Sequence, residues 1–224
     1  MDTWTQFQVP SPRRWGHLAV TLSLTQRLKS ETRPHHERTE AQVRLMDADL
    51  TPSAYRRHLE AFLGFYAPLE EKLAALPLVQ IPGLAIQERW KRTLLEEDLF
   101  ALGHDAHSLA RLPRCQDLPA LPGLPEALGS LYVLEGSTLG GQLILRHLRR
   151  QFEGEVRPLT FSFFNAYGDA VGLRWRAFGA AVNQASEIAA DESFDARVVK
   201  GAQETFDTFA AWLRREQPHV SLSA

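Results

Sequence analysis

The 224-residue sequence has one cysteine, Cys115, and that scarcity excludes an internal disulfide, a thiolate zinc cage and a protein-held iron–sulfur cluster. It fits a reducing compartment, so the cytoplasm is the expected location. Net charge is nearly absent as well. With 25 basic and 27 acidic residues leaving −2, no global field draws the chain to nucleic acid or to an anionic membrane. No apolar run approaches the roughly 20 residues that cross a bilayer, and no transmembrane helix is expected. Strict apolar–polar alternation with β-branched enrichment is also missing, which argues against strands. No Gly-x-Gly-x-x-Gly follows a strand, so nothing marks a nicotinamide or flavin site. Repeats and low-complexity segments are absent.

What the chain does contain is 44% hydrophobic residues, enough for one sizeable core, recurring at helical spacing along most of its length. The expectation is a single-domain, all-α fold over residues 24–216. A loosely ordered arm precedes it over 1–23, where Thr21 and Ser23 interrupt a short apolar run behind Arg13 and Arg14; a fraying tail follows over 217–224. The first helix is read from about Leu24 to Met46. A second begins after Thr51-Pro52, carries Tyr55, Leu59, Phe62, Leu63 and Tyr66 on one face, and should kink or end at Pro68. The third follows Pro82-Gly83, with Trp90, Leu94 and Leu95 inward and Arg89, Lys91, Glu96 and Glu97 mostly solvated. Leu112 to Pro125 holds four prolines and reads as a connector. A long fourth helix spans about Glu126 to Arg150. Beyond a loop around Gly154 and Pro158, two more helical segments occupy roughly 166–190 and 193–215.

The fourth helix has Gly136, Gly140 and Gly141 inside an apolar helical pattern. Each interior glycine costs about 0.8–1 kcal/mol against alanine, so the cluster needs a reason. One is close approach by a neighbouring helix, since Gly136 and Gly140 stand at i and i+4. The other is a bare, kinkable face on which backbone lies directly over a flat ligand, with Ser137, Thr138 and freed carbonyls to hold water.

His36 follows Arg33 and Lys29 by one and two turns, and Glu40 comes one turn later on the same face. That suits an axial ligand, because a metal-bound imidazole usually donates its other N–H to an acceptor. Lys29 and Arg33 are placed where cations meet ligand carboxylates. His35 points about 100° away on an ideal helix. A lone helical histidine is more often an ordinary surface or core residue, so this helix alone leaves both readings open.

Leu28-Lys-Ser-Glu-Thr-Arg-Pro-His-His-Glu-Arg-Thr-Glu40 resembles the proximal helix of haem oxygenases, with Thr32, His36 and Glu40 at the family's spacing. Tyr132-Val-Leu-Glu-Gly-Ser-Thr-Leu-Gly-Gly-Gln142 resembles the glycine-rich distal helix, especially in bacterial members that act beside phytochromes. Tyr66-Ala-Pro-Leu-Glu-Glu71 and Trp90 to Leu99 are similar more weakly. The resemblance implies a helical bundle clamping haem between the first and fourth helices. It further implies oxidative opening of haem to biliverdin, with release of carbon monoxide and ferrous iron. Haem is then substrate and cofactor, with its iron ligated by His36; Lys29, Arg33, Glu40, Gly140, Gly141 and Arg176 contact it. Arg176 lies in Leu173-Arg-Trp-Arg176, similar to a basic segment of the family, and Arg174 is its competitor as a propionate partner. Dioxygen, an external electron donor such as a ferredoxin or ascorbate, and a bacterial phytochrome receiving biliverdin are the implied partners. Histidine ligation favours O–O cleavage less strongly than thiolate does, which agrees with attack on the porphyrin itself. Vertebrate-type members carry a distal aspartate where alignment on Gly140-Gly141 puts Ser137. Proton delivery therefore falls to water held by Ser137 and the Gly136 carbonyl.

Three other readings compete. A haem sensor or storage protein needs the same axial histidine. Thiaminase-like and quinone-cofactor synthases share the scaffold without haem. A di-iron bundle needs Glu-x-x-His pairs that the chain lacks, although His104 and His107 superficially resemble a metal pair.

Overall fold

A computed structural model describes residues 22–155 and 159–216. Most of the expected arm, the whole tail and Pro158 lie outside that range. Among the described residues the chain forms eight α-helices and three single-turn 3-10 segments, with no strand, as the all-α expectation requires.

The first helix is two helices. α1 (Leu24–Glu31) opens with a capping box, Ser23 Oγ accepting from Gln26 N and Gln26 Oε1 accepting from Ser23 N at 2.9 Å. α2 (Arg33–Glu40) starts afresh because Pro34 has no N–H with which to continue α1. Thr32 sits at the junction, its hydroxyl donating to the Leu28 carbonyl at 2.6 Å. Turns then carry the chain from Ala41 to Leu50, so the first helix does not reach Met46.

α3 (Pro52–Ala74) continues past Pro68 rather than ending there. Pro68 cannot bond the Gly64 carbonyl, and the amide of Cys115 donates to that carbonyl instead, at 2.9 Å. The proline-rich connector therefore repairs the helix it crosses. A Cβ on Gly64 would lie 2.7 Å from the Pro113 carbonyl, so glycine is what lets the connector come this close.

The third helix also departs from expectation. α4 (Arg92–Ala101) begins late, and Arg89 and Lys91 are not solvated: they are 3% and 1% exposed and turn inward onto Glu135. A short α5 (Ala106–Ala110) precedes the connector. α6 (Leu124–Gln151), corresponding to the expected fourth helix, is followed by a loop in which buried Asp98 of α4 accepts from Ser162 N at 2.6 Å and Phe163 N at 2.9 Å. That carboxylate holds the loop while Phe161 takes a left-handed φ of 55°. α7 (Val171–Ala189) and α8 (Glu192–Glu216) complete the chain.

α8 is the spine. α6 crosses it with backbones nearly touching, because Gly129 and Gly201 remove the side chains that would hold them apart. A Cβ on Gly129 would fall on the Val198 carbonyl and 2.5 Å from Ala202 N, and one on Gly201 would lie 2.7 Å from Glu126 Cα. Just beyond, Ser130 and Thr205 hydroxyls meet at 2.8 Å. α2 packs on the same helix, with Thr39 Oγ1 donating to the Phe206 carbonyl at 3.2 Å. Gly129→Ala should therefore cost about 3 kcal/mol through forced separation of two helices. A midpoint in chemical denaturation equal to wild type would contradict this account of the crossing.

Candidate functional site

α2 and α6 both rest on α8, while neither α1 nor α2 packs along α6. At the α1–α2 junction Thr32 meets Tyr132 of α6. Burial pushes the Tyr132 phenol up, and the hydrogen bond with Thr32 opposes that shift.

The two adjacent histidines have separate fates. His35 faces α8, its Nδ1 2.9 Å from both Asp207 Oδ1 and Arg38 Nη2, with Arg38 also donating to Asp207 at 3.0 Å. His36 is turned away from that cluster, with 51% of its side chain exposed against 21% for His35. Its Nδ1 lies 3.4 Å from Glu40 Oε2, and its ring meets Phe206 edge-on at 5.6 Å. Among the described residues no hydrogen bond engages its Nε2. This suits an axial imidazole, with a carboxylate beside one nitrogen and the other nitrogen uncommitted.

The glycines of α6 divide in the same way. At Gly140 an added Cβ would meet nothing within 4 Å, and at Gly136 only the Trp175 ring, at 3.9 Å. Neither admits a neighbouring backbone, so close helix approach does not explain them. Gly141 does serve packing, since its Cβ would stand 2.9 Å from the Phe164 carbonyl. Of the expected ligand-facing glycines, Gly141 is thus turned into the fold, while Gly140 borders open space.

Ser137 is exposed beside them. Its hydroxyl accepts from Tyr66 OH at 3.1 Å and donates to the Leu134 carbonyl at 2.7 Å. Burial pushes the Tyr66 phenol well up, so it stays a donor to Ser137 at ordinary pH. The core-face pattern of α3 had given Tyr66 no such part, and no local signal marked it.

The expected cations are dispersed. Arg33 bonds Glu37 on its own helix at 2.8 Å and is not gathered with the others. Arg174 pairs with Glu88 above the Tyr167 ring. Lys29 on α1 and Arg176 on α7 are exposed and form no ion pair among the described residues. α1 and α7 themselves touch, Thr25 N donating to Asn183 Oδ1 at 3.1 Å. His104 and His107 do not converge on a metal. The nitrogens of His104 meet Ser108 Oγ at 3.1 Å and Glu60 Oε1 at 2.8 Å, while His107 Nε2 meets Arg111 at 2.6 Å.

The family model described as Heme oxygenase matches residues 22–215. The chain belongs to the haem oxygenase family. It is 34% identical over 171 residues to a heme oxygenase of Xanthomonas campestris, covering 76% of this chain and 93% of that protein. Its fold is similar to that of the Neisseria meningitidis heme oxygenase, with a TM-score of 0.69 at 21% identity over 88% of this chain and 92% of the other. The Leptospira interrogans heme oxygenase gives 0.66 at 20% identity over 87% and 100%. Membership makes the chain a haem-degrading enzyme with haem as substrate and cofactor, and the open space at Gly140 together with the exposed imidazole of His36 fits that group.

His36→Ala should abolish the imidazole-ligated spectrum of the haem complex while His35→Ala retains it; the reverse pattern would mean that the wrong histidine has been assigned. Gly140→Ala should stabilise the haem-free protein by up to about 1 kcal/mol, because it adds helix propensity into empty space. Gly140→Leu should keep helicity yet weaken haem binding, and a haem titration matching wild type would remove Gly140 from the site.

Proposed function

We propose that this haem oxygenase binds haem between α2 and α6 and opens it to biliverdin, carbon monoxide and ferrous iron, with electrons from an external donor. The observation that carries the assignment of faces is the pairing of an exposed His36, with Glu40 beside it, and an α6 surface left bare at Gly140.

His36 would hold the haem iron, with Nε2 as the available donor. Glu40 Oε2, 3.4 Å from Nδ1, is near enough to accept from it with a small rotation of either side chain, which would leave Nε2 its lone pair. Gly136 and Gly140 would let the α6 backbone come close to the bound haem, and the exposed cations Lys29 and Arg176 would be available to its propionates. Arg33, occupied by Glu37, contributes less than these two. Bound haem supplies its own oxygen-activating iron and is consumed. Ser137, held by Tyr66, positions water on the distal side with the Gly136 carbonyl, taking the part that a carboxylate plays elsewhere.

Dioxygen and a ferredoxin-type donor or ascorbate complete the reaction. The cytoplasm, where thiols such as Cys115 stay reduced, is the compartment this chemistry fits. Biliverdin released there would be available to a bacterial phytochrome, as the similarity to phytochrome-associated members implies.

Haem-loaded protein given oxygen and such a donor should lose its Soret band, yield biliverdin and release iron. A sensor or storage protein would keep the band. If it persists with several donors, catalase being present to remove free peroxide, oxygenase activity is refuted while haem binding stands. Ser137→Ala should slow turnover by less than about tenfold, because backbone and water share its role. It should also lower stability, since the buried Tyr66 hydroxyl loses its acceptor.

A further inference from the structure

Glu135 is 1% exposed and immediately precedes Gly136. Its carboxylate is bound by Arg89 Nη1, by Lys91 Nζ at 2.8 Å and by Tyr167 OH at 2.8 Å. These partners come from two separate parts of the chain, the turn before α4 and the segment before α7. Each is fixed in turn. Arg89 Nε donates to the Leu84 carbonyl at 2.5 Å, and its guanidinium lies 5.3 Å over the Phe178 ring of α7. Lys91 Nζ also donates to Tyr167 OH at 2.8 Å, while Lys91 N donates to Glu70 of α3 at 2.7 Å. The carboxylate is held from the turn before α4 and the segment before α7, and those holders are braced by Glu70 of α3 and Phe178 of α7.

The segment behind it needs such a hold. Residues 136–141 contain three glycines, and the hydroxyls of Ser137 and Thr138 both donate back within the helix, to the Leu134 and Glu135 carbonyls at 2.7 Å, competing with its own ladder. Toward the ligand nothing stands within 4 Å of a Cβ at Gly140. Support must therefore come from the opposite side, where Glu135 and the Gly141–Phe164 contact bracket the segment.

We propose that Glu135 is a positioning residue for the distal face: held by Arg89, Lys91 and Tyr167, it fixes the depth and rotation of residues 136–141, and with them Ser137 and Gly140. This rests on the reading that Gly136 and Gly140 face haem.

The test compares Glu135→Gln with Glu126→Gln in the full chain. Glu126 is a largely buried carboxylate on the same helix, paired with Arg197 at 2.6 and 2.9 Å, and is remote from the glycine segment. Hydrogen exchange is measured without haem, haem affinity by titration, and the distal environment by the C–O stretch of the ferrous complex with carbon monoxide as probe. Glu135→Gln should speed exchange of the 137–142 amides about tenfold beyond any change elsewhere in α6. It should weaken haem binding by a similar factor and displace the C–O band, whereas Glu126→Gln does none of these. Tyr167→Phe, which keeps both cations paired, should act in the same direction to a smaller extent and serves if Glu135→Gln does not fold. Exchange that rises uniformly along α6, or not at all, with haem affinity and the C–O band unchanged, overturns the proposal. If haem binding were insensitive to His36→Ala and Gly140→Leu, the placement of haem would fall instead, and the haem-free exchange measurement would still decide whether Glu135 clamps the segment.

Discussion

The crossing of α6 over α8 at Gly129 and Gly201 is the constraint on which the rest of the structure depends. Both faces assigned to the haem site are carried by α8, one through α6 and one through α2, so their separation is set by how closely each can approach that helix. At the α6 crossing the approach is limited by backbone atoms: a Cβ on Gly201 would lie 2.7 Å from Glu126 Cα. A spacing fixed by backbone contact varies less than one fixed by flexible side chains, and that suits a slot for a flat, rigid molecule.

The α2 side is set differently. α2 is only eight residues long and short of apolar residues, so its docking relies on polar contacts to α8, chiefly Thr39 to the Phe206 carbonyl and the cluster of His35, Arg38 and Asp207. Each surface contact of that kind contributes little on its own. Their effect is directional: by committing His35 to Asp207 they leave its neighbour turned from that cluster, with Glu40 beside it.

On α6 a weak stretch of helix is bracketed by strong contacts. Three interior glycines cost roughly 3 kcal/mol of helix stability. Against this stand a carboxylate bonded to two buried cations on one side of the stretch and the Gly141–Phe164 contact on the other, the latter held in turn by Asp98. Leaving one member of such a buried ion pair without its partner costs about 3–5 kcal/mol, so the assembly resists piecemeal change.

Helical content and the order of the long elements were legible in the sequence, as were the two stretches proposed to face haem. Each depends on local rules: apolar spacing, caps such as Thr51, and histidine and glutamate one turn apart at His36 and Glu40. The glycine cluster announced that something unusual happens on α6, but close packing and ligand access both accounted for it. What separated Gly140, facing open space, from Gly141, pressed on Phe164, was the position of a loop more than 20 residues away in sequence. Pro68 leaves its helix intact because the amide of Cys115, distant in the chain, fills the missing bond. Arg89 and Lys91 read as solvated because charge normally seeks water, and they are buried because Glu135, 46 and 44 residues away, meets them there. Local patterns determine which face of a helix is apolar. Which polar groups leave water together is decided by tertiary structure, because burying a charge is tolerable where a partner arrives from elsewhere in the chain.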